Sequence, residues 1–317
     1  MRKITKNKSF ILTMVLILVM GILSGCGDTT DSADSANSDA VADSDEGALA
    51  DENTDGSDEA GSSDSEITFE SLEVVNNDEC AITITGIDPD DLWGYALEVT
   101  LENKSADKTY MFAVDYGCIN GVYCDPYYAE EVAAGKKSNS TISFTLSDLE
   151  EQGIDDVTDI ELKFRVYDSD DWEADNVAEE TVHVYPYGEE NAVAYEREEQ
   201  SSDVVLIDND NVKVTLIGYE EETEFSEYLV NVYLENKTDT TVMFSVDEAS
   251  INGYMEDPFW AMSVPAGKTA FASIEWFWST LEEDGIASVE EIEMLFKAYD
   301  DETYSNNYAE ETVTLNP

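Results

Sequence analysis

The amino-acid sequence predicts an all-β protein: two tandem antiparallel β-sandwich domains, each with one short helix, after a disordered acidic tether. Three observations carry this. Apolar and polar residues alternate at period 2 through much of the chain, a segment of roughly 110–120 residues is written twice, and what precedes it is either apolar or almost purely small and acidic. A unit of that length suits one hydrophobic core.

The repeat sets the domain boundaries. Val74-Val75, Asp78 and Ile82-Thr83-Ile84-Thr85 line up with Val204-Val205, Asp208 and Val212-Lys213-Val214-Thr215. LENK recurs at 101–104 and 234–237, and ING at 119–121 and 251–253. AGK recurs at 134–136 and 266–268, and AEETV at 178–182 and 309–313. The domains are therefore placed at 67–186 and 203–317, joined by a polar linker over 187–202. Within them Leu97, Val99 and Leu101 alternate with Glu98, Thr100 and Glu102, and Val230, Val232 and Leu234 repeat that face. Ile160, Leu162, Phe164 and Val166 are doubled by Ile292, Met294, Phe296 and Ala298. Several such strands per copy with turn residues between them predict two packed sheets.

The helices are read from Ser147-Asp148-Leu149-Glu150 and Ser279-Thr280-Leu281-Glu282, each written like a capping box, followed by Gly153 and Gly285 as C-terminal glycines. The doubled INGVYCDPYY (119–128) and INGYMEDPFW (251–260) read as a hairpin turn at Asn-Gly, with Asp125-Pro126 and Asp257-Pro258 ending the returning strand. This repetition is better explained as a fold corner made twice than as a site used twice.

The first 25 residues read as a secretory signal: Arg2, Lys3, Lys6 and Lys8 precede an apolar run from Phe10 to Leu23, with no acidic residue before Asp28. Leu23-Ser24-Gly25-Cys26 resembles the lipobox of bacterial lipoproteins. That resemblance implies a diacylglycerol on Cys26 and a membrane-anchored chain on the extracellular face of the cell membrane; a plain cleaved signal or an uncleaved anchor with an incidental Cys is the other reading. Without residues 1–25 the chain loses four of its 15 basic residues and none of its 73 acidic ones, so its net charge moves from −58 to near −62. Such a surface repels nucleic acid, and a nucleic-acid partner is not expected. Residues 27–66 hold 14 acidic residues, no basic one and no aromatic. A segment so composed cannot offset its ordering entropy by burial. Residues 26–66 are thus read as a lipid-anchored tether, roughly 35 Å long as a flexible coil and longer under self-repulsion.

The motif set (Asp-x-x-x-[Ile/Val]-x-[Ile/Val]-Thr, LENK, ING, AGK, and Gly-Ile before Ile-Glu-[Leu/Met]) resembles the immunoglobulin-like β-sandwich domains of unknown function in surface lipoproteins of Gram-positive bacteria. That group is similar in fold to the mycobacterial immunoprotective extracellular antigen. The resemblance covers both copies and implies an immunoglobulin-like fold; it implies no activity.

Catalytic signatures are sparse. His183 is the single histidine, and its counterpart is Thr314, so no Ser-His-Asp or Cys-His mechanism is expected. Neither a Gly-x-Gly-x-x-Gly nor a phosphate-loop motif occurs. Carboxylate pairs are too abundant to indicate a glycosidase, and a hydrolase stands only as a remote reading. Asp168, Asp170, Asp171 and Asp175 begin like a calcium loop but place Trp172 at the fifth position and Glu173 where glycine is needed. Calcium is the one cofactor left open, against solvated acidic turns. Cys118 and Cys124 are near enough in sequence to bridge, with Cys80 left free, while their counterparts Ser250 and Glu256 show that the fold does not require a bridge.

Trp172 corresponds to Tyr304, and Tyr127-Tyr128 to Phe259-Trp260. These aromatics are either ligand contacts or lids on the core. The sequence thus points to a non-enzymatic cell-surface lipoprotein, working through binding of an unknown protein or glycan partner or as a structural spacer. A glycan-binding module on these aromatics and a calcium-dependent adhesion module are the alternatives.

Overall fold

The computed structural model describes residues 66–221 and 225–317, apart from the side chains of residues 146 and 147. The signal, Cys26 and nearly all of the tether lie outside the described residues. In chain order the first copy contains β1 (Leu72–Asn76), β2 (Cys80–Asp91), β3 (Gly94–Asn103), β4 (Tyr110–Ile119), β5 (Val122–Tyr123), β6 (Ala129–Val132), β7 (Lys137–Phe144), α1 (Leu146–Glu151), β8 (Ile160–Asp168) and β9 (Ala178–Val184). The second contains β10 (Val204–Asp208), β11 (Val212–Glu220), β12 (Glu227–Asn236), β13 (Val242–Ile251), β14 (Tyr254–Met255), β15 (Ala261–Val264), β16 (Thr269–Phe277), α2 (Trp278–Glu283), β17 (Ile292–Asp300) and β18 (Asn307–Leu315).

Each copy is an immunoglobulin-like sandwich. In the first, β1-β2-β3-β7 form one sheet, while β9-β8-β4 form the other with β5 and β6 on the far edge of β4. The chain crosses between sheets from β3 to β4, from β6 to β7 and, through α1, from β7 to β8. The second copy repeats the pairing, including a bulge in the opening strand pair at Glu73/Val75 and at Val205/Ile207. The alternating faces read from the sequence meet in two separate cores. One gathers Ile82, Leu97, Leu101, Phe112, Phe144 and Phe164, the other Val230, Val232, Leu234, Phe244, Trp276 and Phe296.

The repeated motifs have local reasons. LENK supplies a core leucine, a buried asparagine and a lysine that ties down the opening hairpin. Asn103 Nδ2 donates to the carbonyls of Lys108 and Val132, and its Oδ1 accepts from Ser105 N. Lys104 reaches Asn76 Oδ1 and the Asn77 carbonyl, as Lys237 reaches Asp208 and the Asn209 carbonyl. The Asn-Gly turns adopt positive φ at both central residues, 52° and 86° in one copy and 52° and 83° in the other, as a two-residue hairpin requires. Their asparagine side chains also clamp the loop before the next strand: Asn120 bonds Asp156 O, Thr158 N and Asp159 N, and Asn252 bonds Ser288 O, Glu290 N and Glu291 N.

The capping boxes are a correction. Both helices begin one residue before the serine, at Leu146 and Trp278, and their N-cap residues Thr145 and Phe277 make no side-chain cap bond. The strand runs straight into each helix, so the N-cap position falls on the strand's continuation, Thr145 or Phe277, and the serine lies inside the first turn; in the second copy Trp278 N donates to the Ser226 carbonyl. The C-termini follow expectation. Gly285 at φ 77° donates to Glu282 O, and Ile286 N donates to Leu281 O, the paired bonds of a Schellman close with Ile286 and Leu281 both buried. A Cβ at Gly285 would meet nothing within 4 Å, so Gly285→Ala isolates the backbone strain. It should lower stability by about 1 kcal/mol, read as a shift in the urea midpoint at unchanged m-value.

Candidate functional site at the domain junction

A convergence of titratable side chains lies where the two sandwiches meet, and the first copy's hairpin turn is its foundation. With Asn120-Gly121 at the corner, β5 is left on the edge of β4, and the start of β16 adds to it in parallel: Thr269 N donates to the Gly121 carbonyl at 3.1 Å. This joins sheets of the two domains edge to edge. Because side chains alternate along β5, Val122 enters the first core while Tyr123 packs against the second; in return Phe271 of β16 packs against the first.

On the adjacent face of β4, β8 and β9 sits Glu161, whose side chain is only 8% exposed. It pairs with Lys268 of the second domain, accepts a hydrogen bond from Tyr116 Oη at 3.0 Å and lies 3.4 Å from His183 Nε2. His183 Nδ1 meets Asp159 Oδ1 at 2.7 Å. Burial disfavours the Lys268 ammonium, but the Glu161 carboxylate beside it more than offsets this and holds the lysine above its ordinary pKa. Burial, reinforced by Glu161, pushes the Tyr116 phenol up to about 12, so it remains a donor. Five groups therefore meet, but they satisfy one another across a domain boundary, the condition under which a buried charge is tolerated.

The linker is part of this junction. Tyr195 N donates to Asn120 O and Tyr195 Oη to Gln152 O, while its ring meets Phe271 edge-on at 6.1 Å. Phe271 continues to Tyr233 at 4.9 Å, and the Arg197 guanidinium lies 5.7 Å from the Tyr233 ring centre. Arg197 forms a two-pronged pair with Asp203, at 2.7 and 2.9 Å. The Arg197 bond, chiefly, holds the Asp203 carboxyl below its usual pKa. A depressed carboxyl pKa contributes stability that is present above the ordinary aspartate range near pH ~4 and is lost as pH falls through the folded value. Asp203→Asn should therefore unfold at lower urea than the native protein at about pH 7, with the gap closing as pH falls toward about 2. A gap unchanged by pH would exclude this role.

The cysteines are a second correction. Cys80, Cys118 and Cys124 are free and buried. Across the hairpin Cys118 pairs with Tyr123, and Cys124 follows it. Strand alternation thus sends Cys124 into the first core while Cys118 lies on the junction side, so the two thiols occupy opposite faces. Burial pushes the Cys124 thiol up to about 12 and Cys80 to about 11, and raises Cys118 as well, so none is poised as a thiolate.

In the acidic turn after β8 the first carboxylate is already paired. Asp168 pairs with Lys108 at 3.0 Å, and its Oδ1 accepts from Asp170 N. Among the described residues no group of three or more His, Cys, Asp or Glu is arranged to hold a metal ion, Asp168, Asp170, Asp171 and Asp175 included.

The aromatic pairs divide. Tyr127 and Phe259 take left-handed φ of 48° and 49°, with their amides held by Asp125 and Asp257, and are 80% and 100% exposed. Tyr128 and Trp260 pack, partly buried, against the two cores, Trp260 lying 5.8 Å from Phe296. Trp172 and Tyr304 are exposed in the turns after β8 and β17. They do not gather with Tyr127: the Trp172 turn begins beside Tyr110, whereas Tyr128 O accepts from Val114 N, four residues or roughly 13 Å farther along β4.

The junction itself was not foreseen from the sequence. The signal was available: Glu161, Tyr116, Cys118 and Tyr123 lie on the junction side of the first domain, yet their counterparts Glu293, Glu248, Ser250 and Met255 share only the glutamate with them. Phe271 and Tyr233 have no aromatic counterpart in the first copy, which carries Asn139 and Thr100 there.

No family model and no curated protein matches the chain. Solved structures with local similarity include the transglutaminase of red sea bream, 9% identical with a TM-score of 0.22, over 76% of this chain and 31% of that one. The chaperone–tip adhesion subunit pre-assembly complex of the Csu pili of Acinetobacter baumannii is 13% identical with a TM-score of 0.20, over 69% and 90% of the two chains. A protein of unknown function from Porphyromonas gingivalis W83 is 10% identical with a TM-score of 0.20, over 78% and 100%. The chain spans about a third of the transglutaminase, and similarity at this level carries no functional argument.

Proposed function

We propose that this protein is a non-enzymatic, lipid-anchored module of the cell envelope that holds two coupled immunoglobulin-like domains away from the membrane, as a spacer that presents binding surfaces. The observation that carries the reading is the junction: the cluster of Glu161, His183, Asp159, Tyr116 and Lys268, which in a cleft would invite a catalytic interpretation, is consumed in locking one domain to the next. The signal, Cys26 and the acidic tether support anchoring. Among the described residues no helix is long and apolar enough to cross a membrane. Cys26→Ser tests it. The variant should leave the membrane fraction, and the native chain should carry the mass of a diacylglycerol on its N-terminal cysteine; a native chain free of lipid would overturn the anchored reading.

Glycan binding is the second reading, favoured by the exposure of Tyr127, Phe259, Trp172 and Tyr304 at matching places in both copies. Alanine at these four positions should abolish any signal on a glycan array; a signal that survives would assign the contact elsewhere.

A further inference from the structure

The repeat leaves half a junction unused at each end of the molecule, and we infer that the chain associates head to tail with a second copy of itself by repeating its internal junction between molecules. Inside the chain, the AGK loop of the second domain supplies Lys268 and Thr269 to the β5 hairpin and Glu161 of the first. Both halves exist once more. The first domain's own AGK loop carries Lys136, which is exposed and has no ion-pair partner among the described residues. It lies at the end of that domain away from the junction, next to LENK, since Asn103 N donates to Lys136 O.

The second domain's hairpin is bare. Tyr254 and Met255 are 51% and 68% exposed, whereas Tyr123, at the place of Met255, packs against the core of the other domain. Glu293, at the place of Glu161 and on the same register opposite Thr314 as Glu161 is opposite His183, is exposed and unpaired among the described residues. A cation at one end and an anion beside an uncovered apolar edge at the other are complementary. The backbone rung is also repeatable, because Gly253 stands where Gly121 accepts from Thr269. The chain enters the first domain at the junction end, where Thr68 N donates to Pro186 O, so residues from 68 onward leave the Lys136 end clear.

Such a contact is heterologous, joining unlike surfaces head to tail, so it extends beyond a pair of chains. It lacks the Phe271, Tyr233 and Tyr195 staple that strengthens the internal junction, since the first domain carries Asn139 and Thr100 there. It is therefore weak in free solution and favoured when chains are concentrated on one surface, where effective concentrations reach the order of millimolar.

The test uses the full chain with Cys26→Ser, followed by sedimentation from about 10 μM to about 1 mM at physiological salt. The average mass should rise with concentration without levelling at two chains. Lys136→Glu and Glu293→Lys, both at exposed sites, should each weaken association at least about tenfold. An equimolar mixture of the two variants should recover it, because each introduced charge finds its opposite on the other variant. A chain monomeric throughout, a mass that saturates at a dimer, association indifferent to either substitution, or failure of the mixture to recover would each overturn the proposal.

Discussion

Lys268→Met should split the heat unfolding of this protein into two calorimetric transitions. The native junction couples two complete cores through one edge-strand rung, the exchange of Tyr123 and Phe271, and the Glu161–Lys268 pair. Methionine keeps the length and apolar stem of lysine but leaves Glu161 buried with only Tyr116 and His183 beside it. Removing one partner of a buried pair costs about 3 kcal/mol or somewhat more, most of it the desolvation of the stranded charge. The same principle supplies the control. Adding Glu161→Gln to Lys268→Met removes the stranded charge and should recover a large part of the loss. If Lys268→Met melts as one transition at the native temperature, or the second substitution recovers nothing, the pair does not hold the domains together.

That result bears on what could be read from the sequence. Strand faces follow a period of 2 whatever the tertiary context, so the core faces of β3, β8, β12 and β17 were legible. The Asn-Gly corners were legible because few residues tolerate their φ. Side-chain partners set by tertiary approach were not. Asn103 and Asn236 look like polar strand ends and are buried clamps, and the capping serines look like N-caps until the strand is seen to run directly into the helix. The two cysteines looked close enough to bridge, because six residues apart in sequence says nothing about which face of a hairpin each takes. Comparing the copies for what differs, rather than for what is shared, would have found more: the shared residues build the fold, and the differences mark where one domain receives the other.

Asn236→Ala should be the most damaging single change to the second domain. The side chain is 3% exposed, and every polar atom it carries is used. Nδ2 donates to the carbonyls of Thr240, Val264 and Pro265, and Oδ1 accepts from the amide and hydroxyl of Thr238. It therefore ties the β12–β13 turn to the AGK loop, whose Lys268 carbonyl in turn accepts from Asn236 N. Alanine leaves buried carbonyls and an amide without partners, at about 1–3 kcal/mol for each group that water cannot reach. A total of about 4 kcal/mol is expected, measured as the loss of unfolding free energy in urea. Asn103→Ala, with three such bonds in the first domain, should cost less. Asn236→Asp separates geometry from size: it keeps the acceptor for Thr238 but sets a carboxylate against three carbonyls, so it should be no more stable than alanine at about pH 7 and should gain on it as the pH falls and the carboxyl takes up a proton. Because this clamp positions the loop that delivers Lys268, the alanine variant should also loosen the junction. An Asn236→Ala protein with native stability, or with a second domain that melts unchanged, would remove the asparagine from that role.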